Sequence, residues 1–324
     1  MKIAINGFGR IGRIFFRQAY NQPDFEVVAV NDLGDKENLL YLLKHDSVYR
    51  NFSLPENVKK IKFLQEKDPT RLPWGKLGID IVVESSGFFD SYEKAKAHLE
   101  AGAKRAVISA PVNDDEALTF TPNVINGDIA KTKITSNASC TTNALTPVIA
   151  IISKHLGIKK AILNTVHSYT ATQGIVDKPD AHDWRRGRAG AVNISPSTTG
   201  AAVAAAKVIP EMAGKFDGVA MRVPVPSGSL IDFTFVSERP TTAQEINNIF
   251  TEEAQKPEWQ GIMKVSDEQL VSSDILGEPY GSIVDLNFTR VVGGDLVKVF
   301  SWYDNEWGYS AMLIKHIETL KEYL

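Results

Sequence analysis

Hydrophobic positions change their period along the chain, and the changes divide it. Lys2 to Asn6 alternate and run straight into Gly7-Phe8-Gly9-Arg10-Ile11-Gly12. From Arg10 to Tyr20, Ile11, Ile14, Phe15 and Ala19 recur at helical spacing, and Asn21-Gln22-Pro23 stops the helix. Glu26 to Asn31 is a short, continuously apolar strand that stops at Asp32. Apolar strands are predicted again at Ile79 to Val83, Arg105 to Ser109 and Ile134-Thr135. Between them Ser91 to Ala101 reads as a helix, capped by Ser91 and stopped by Gly102. Continuous apolar runs joined by helices mark parallel strands covered on both faces. Past residue 140 the pattern is different. Thr141 to Leu156 reads as a helix bent at Thr146-Pro147. Strands at Ile158 to His167, Gly218 to Val225, Leu230 to Val236, Ile283 to Phe288 and Leu296 to Trp302 lack βαβ spacing. They predict a largely antiparallel sheet with helices on one face, one of them Thr242 to Gln255.

A strand, then GxGxxG, then a helix, a second strand and an acidic residue 20 positions past Gly12 make a Rossmann fingerprint. Gly7 permits the tight turn, Gly9 lets a pyrophosphate approach the backbone, and Gly12 lets helix and strand pack closely. The helix start offers unpaired N–H groups to phosphate. Asn6, Arg10, Ile11 and Leu33 flank these positions, and Ser86 and Ser109 follow strands whose carboxyl ends carry ligands in such sheets. A turn without a dinucleotide is the bland alternative. Asp32 would accept from the adenosine ribose hydroxyls and repel a 2′-phosphate, and no arginine follows it, so NAD is expected over NADP. Its own alternative is to cap the next helix. The fold expected is α/β: an N-terminal Rossmann dinucleotide-binding domain over 1–139, completed by a C-terminal helix in 304–324, and an α+β catalytic domain over 140–303.

Length agrees, since one core seldom grows past roughly 250–300 residues and this chain has 324. A net charge of −3 leaves no electrostatic footprint for nucleic acid or an anionic membrane. A single cysteine forms no internal disulfide and fits a cytoplasmic protein. That cysteine, Cys140, lies in SNASCTTN at the start of a predicted helix, where unpaired N–H groups lower a thiol's pKa. Its polar neighbours argue against the alternative of a small buried hydrophobe.

GFGRIGR, KHDS, SAP, SNASCTTN, HSYTATQ, DWRRGR, TTGAA, RVPVP and SWYDNEWGYS occur in this order from one end of the chain to the other. In this the sequence resembles the phosphorylating glyceraldehyde-3-phosphate dehydrogenase family. The resemblance implies NAD-dependent oxidation of glyceraldehyde 3-phosphate through a Cys140 thioester that inorganic phosphate cleaves. It makes His167, 27 positions after Cys140, the paired base. Ser139, Thr141, Arg186, Thr199 and Gly200 then serve the attacking phosphate, and Thr170, Thr172 and Arg222 the substrate phosphate. Read alone, Thr199 is a helix cap and the arginines are surface charges. Asn305 orients the nicotinamide carboxamide, and Pro179 accompanies NAD specificity. A homotetramer is implied, with the weakly patterned segment 174–197 between subunits. Neither a metal nor a nucleic acid is expected.

Four departures stand out. Ala144 replaces a second cysteine, Ser86 replaces threonine, Lys67 replaces arginine near the adenine, and Thr119 to Val124 (TFTPNV) differs from the usual segment. None touches the Cys140–His167 pair. Erythrose-4-phosphate dehydrogenase is the nearest rival, although HSYTATQ favours the triose phosphate. Aspartate-semialdehyde dehydrogenase lacks this motif set, and a non-catalytic NAD- or RNA-binding relative fits poorly with an intact pair and an acidic pI.

Overall fold

The computed structural model describes residues 1–181 and 183–324, with Asn57 described by its backbone alone. Two compact units emerge, one of residues 1–120, 126–139 and 310–324, the other of 121–125 and 140–309.

The first unit is a doubly wound parallel sheet. Its elements are β1 (Lys2–Asn6), α1 (Arg10–Ala19), β2 (Glu26–Asn31), α2 (Lys36–Lys44), β3 (Lys62–Leu64), β4 (Ile81–Glu84), α3 (Tyr92–Glu100), β5 (Arg105–Ile108), β6 (Leu118–Thr121) and β7 (Ile134–Ser136). These seven strands lie in the order β3-β2-β1-β4-β5-β7-β6, paired in parallel with one another, and a two-residue strand, Val124–Ile125, follows β6 at the edge. The order reverses between β1 and β4, which creates the crevice where such sheets hold ligands. Ser91 caps α3 as its hydroxyl position predicts, accepting from Lys94 N. Asp35 caps α2, so Asp32 does not. Neither α2 nor β3 is visible in the hydrophobic pattern: α2 buries only Leu39 and Leu43. α1 buries more than the expected stripe, because Arg13 and Arg17 turn inward to bond the Phe8 and Leu43 carbonyls.

The second unit contains α4 (Cys140–His155), β8 (Ile158–Ser168), β9 (Ser195–Thr198), α5 (Ala201–Val208), β10 (Phe216–Val223), β11 (Ser229–Ser237), α6 (Ala243–Ala254), β12 (Met263–Ser266), β13 (Ser282–Val292) and β14 (Leu296–Tyr303). Its sheet runs β9-β10-β8-β11-β14-β13-β12. Four pairings are antiparallel, while β8–β10 and β12–β13 are parallel. β11 shows the alternation of a strand with one covered face: every odd residue from Ser229 to Ser237 is buried. The last helix, α7 (Trp307–Leu320), sends Leu313, Ile314, Ile317 and Leu320 into the core of the first unit. Among the described residues no helix is long and apolar enough to cross a membrane.

Candidate active site and cofactor pocket

The glycine turn opens onto a cavity of about 360 Å³ lined by Asn6, Gly7, Gly9, Asp32, Leu33 and Ser86 from the expected set. Gly7 has φ 94° and packs so closely on the next turn that a Cβ would stand 2.3 Å from Ser86 N. Gly9 has no atom within 4 Å of a would-be Cβ, which leaves its backbone open to an approaching ligand. Gly12 faces the opposite demand, since a Cβ there would meet the Gly7 carbonyl at 2.1 Å. Asp32 accepts from Phe8 N at 2.6 Å and from Gly34 N at 2.8 Å, tying the glycine turn to the end of β2. A dinucleotide fits this lining: an open glycine backbone for phosphates and a carboxylate for the ribose. Arg10, Ile11, Gly12 and Ser109 do not line the cavity. Arg10 is ion-paired with Asp46, and Ser109 N is spent on the Glu84 carbonyl. Asn31, Glu66, Lys67, Ser85, Phe88 and Phe89 complete the wall. Of these only Lys67 had a sequence signal. The others enter because the end of β2, the chain after β3 and the turn after β4 fold beside Gly7.

Cys140 is the first residue of α4. The turn into it is made by Ala138, at φ 53°, a left-handed conformation that costs a non-glycine residue about 1 kcal/mol. The Cys140 sulfur is 3.3 Å from His167 Nε2. His167, the next-to-last residue of β8, lies opposite Arg222 of β10, and Ser195 of β9 is level with both, so parallel pairing makes His167 and Arg222 neighbours across 55 residues. His167 Nδ1 lies 2.7 Å from the Ser168 carbonyl and 2.7 Å from Arg222 Nη1. Only one of these can be satisfied at a time. Nδ1–H donating to Ser168 leaves a lone pair on Nε2 facing the sulfur, whereas accepting from Arg222 puts the proton on Nε2.

Electrostatics reverse one expectation. Burial pushes the Cys140 thiol up, and Arg222 together with the Thr141 hydroxyl and N–H only partly offset it. The helix start alone predicted a depressed thiol, but a thiolate taken out of water loses more than those groups return. Burial and the Arg222 charge push His167 down to about 3.

The other expected residues gather unevenly around this pair. Thr141 Oγ1 is 2.9 Å from the Tyr303 hydroxyl, which is 2.8 Å from Thr165 Oγ1, fixing the helix start to β8 and β14. Thr170 and Thr172 join their hydroxyls at 2.9 Å just after β8. Arg186 Nε donates to Ser197 Oγ at 3.0 Å, and its charge adds a smaller downward push on His167. Thr199 Oγ1 accepts from Ala201 N, but the N-cap of α5 is Gly200 and no side chain caps it. Both follow Thr198, which pairs with Val219, three positions from Arg222 along β10. Asn305 Oδ1 accepts from Ser168 Oγ at 2.8 Å and Ser229 Oγ at 2.9 Å. Ser139 immediately precedes the thiol in sequence.

A doubly wound nucleotide pocket and a second unit built on a mixed sheet mark an NAD-linked oxidoreductase. Residues 1–92 match the NAD binding domain of glyceraldehyde 3-phosphate dehydrogenase, and residues 139–305 match its C-terminal domain. Glyceraldehyde-3-phosphate dehydrogenase from Zymomonas mobilis is 45% identical over 97% of this chain and 96% of its own length. Glyceraldehyde-3-phosphate dehydrogenase from Clostridium pasteurianum is 45% identical over 98% and 97%, and glyceraldehyde-3-phosphate dehydrogenase 1 from Bacillus subtilis 46% over 97% and 96%. The chain belongs to the glyceraldehyde-3-phosphate dehydrogenase family, and its cofactor is NAD.

Proposed function

We propose that this chain oxidises D-glyceraldehyde 3-phosphate to 1,3-bisphosphoglycerate with NAD and inorganic phosphate, as a step of glycolysis or gluconeogenesis in the cytoplasm. The observation that carries the reading is the 3.3 Å contact between Cys140 Sγ and His167 Nε2, with Arg222 beside the imidazole. Asn6, Gly7, Gly9, Asp32, Leu33 and Ser86 would hold the cofactor, with Asn305 as the proposed partner of its carboxamide. Bound NAD supplies the acceptor for the hydride that leaves C1 of the substrate.

Arg222 holds the substrate phosphate together with Thr170 and Thr172. An anion that draws the guanidinium away leaves Nδ1–H to Ser168 and frees the Nε2 lone pair. Nε2 then takes the thiol proton as sulfur attacks the aldehyde carbon. The proton passes on to the new oxyanion, giving a hemithioacetal. His167 takes that hydroxyl proton back as the carbon is oxidised, which leaves a thioester. Phosphate, held by Arg186, Ser139, Thr141, Thr199 and Gly200, attacks the thioester carbon. The carbon–sulfur bond breaks, and the imidazolium returns its proton to sulfur. The Cys140 N–H at the helix start is a candidate donor to the oxyanion.

A homotetramer is supported by the exposed Ile175, Val176, Trp184, Val192 and Ile194, an apolar set that a second copy would cover. The reading is tested by steady-state NADH formation with glyceraldehyde 3-phosphate and erythrose 4-phosphate, each with and without phosphate or arsenate. Turnover should require the triose phosphate and an oxyanion. Phosphate-independent turnover would replace the acyl-phosphate mechanism with hydrolysis.

A further inference from the structure

Glu84 ends β4 and is 2% exposed. Two residues of fixed hydrogen-bond polarity determine its state. At one end the Trp74 indole N–H, which can only donate, meets His98 Nδ1 at 3.2 Å. The His98 proton therefore sits on Nε2, which donates to Glu84 Oε2 at 2.9 Å. At the other end the Glu66 backbone N–H donates to Asn31 Oδ1 and the Glu66 carbonyl accepts from Asn31 Nδ2, both at 2.9 Å, so the orientation of that amide is fixed. Asn31 Nδ2 donates to Asn6 Oδ1 at 2.7 Å, which turns Asn6 Nδ2 onto Glu84 Oε2 at 2.5 Å. The Ser86 N–H and hydroxyl both donate to Oε1, at 2.8 and 2.5 Å. Three obligate donors, Ser86 N–H, Asn6 Nδ2–H and His98 Nε2–H, converge on Glu84, and the Ser86 hydroxyl, which accepts from Phe88 N, completes the set. Such a donor set suits a carboxylate, and among the described residues His98 is its only partner in ion-pair range.

This anion is one side chain away from the cofactor pocket, since Asn6 and Ser86 both line it. Its position in the sheet adds a direction. Asp32 follows β2 on one side of the reversal point, and β4 opens the other side. In a doubly wound sheet each half takes one mononucleotide, and the acidic residue after the second strand marks the adenosine half. Glu84 therefore stands in the half left for the nicotinamide. We infer that Glu84 is an electrostatic positioning residue that biases the pocket towards the oxidised cofactor, whose nicotinamide ring carries one more positive charge than the reduced form. The inference rests on the NAD reading and names a residue that controls the preference of that same site. Even across about 10 Å, at an effective dielectric constant of about 20–40, one charge changes such a preference by about fivefold or more.

The test is equilibrium binding of NAD+, NADH and ADP-ribose, which lacks the nicotinamide, to the full chain and to Glu84→Gln. The preference for NAD+ over NADH should fall by about fivefold, while ADP-ribose affinity changes far less. His98→Lys leaves Glu84 in place and neutralises it with a cation. It should lower the preference in the same direction, and it decides the matter if Glu84→Gln does not fold. An unchanged NAD+/NADH ratio, or an equal loss for all three ligands, would overturn the inference and leave Glu84 a scaffold residue. A parent protein that binds neither dinucleotide would overturn the cofactor reading instead.

Discussion

Arg222→Ala removes a cation whose Nη1 stands 2.7 Å from His167 Nδ1. Across the imidazole ring and the 3.3 Å step to sulfur, that charge acts on a thiolate from roughly 8 Å, which at an effective dielectric constant of about 20–40 is worth about 1–2 kcal/mol. The Cys140 thiol, already pushed up by burial, should rise by about one further pKa unit. The same cation opposes an imidazolium, so His167 should rise as well, from about 3. Cys140 is the only cysteine, and iodoacetamide consumption therefore reports a single sulfur. Alkylation follows the thiolate fraction. A higher thiol pKa should move the rate–pH profile upward by about one unit and slow the reaction about tenfold at pH values below its midpoint. Arg222→Lys retains the charge and should recover most of the profile. A folded Arg222→Ala protein whose midpoint stays put or falls would refute the proposed electrostatics of the pair.

Other outcomes follow from the same geometry. His167→Asn should slow oxidation by about 10²- to 10⁴-fold while calorimetry shows NAD binding unchanged; near-normal turnover would remove His167 from the mechanism. Asp32→Ala should narrow the preference for NAD over NADP and also weaken NAD itself, because the carboxylate holds Phe8 N and Gly34 N in place. The ratio of kcat/KM values for the two cofactors measures this, and an undiminished preference would sink the role of Asp32. Burial would raise Glu253, but Lys256, His155 and Lys154 outweigh it and hold the carboxyl at about 2 against an ordinary 4.5. The folded value is the lower one, so the stability it contributes is complete above the ordinary value and is lost as pH falls towards about 2. Allowing for the exposed lysine partners, about 1–2 kcal/mol is at stake. Thermal melts should show Glu253→Gln losing less stability than the parent between about pH 5 and pH 2, and parallel curves would contradict the assignment.

What could be read in the chain was local. The glycine turn, Asp32 and the helix start at Cys140 are each specified within a few residues, and β2 occupies the expected position. Strand ends moved by one to four residues, because pairing partners, not the strand's own pattern, decide where a ladder stops. α2 was invisible since so little of it is buried. The TFTPNV departure contributes to a strand, β6, which no periodicity marked.

Sequence alone singled out the candidate groups: a lone thiol at a helix start, a glycine loop suited to phosphates, an acidic residue suited to a ribose. Covalent neighbours and one-turn spacings suffice for these, and they are the same in any environment. Tertiary structure decided how those groups behave. Parallel register set Arg222 beside His167 across 55 residues. Desolvation then reversed the sign of the thiol's shift, because burial depends on every element packed around the sulfur. Glu84 was an unremarked strand end until chain segments up to 78 residues away aimed their donors at it. A charge becomes consequential where water is excluded, and only the folded chain excludes it.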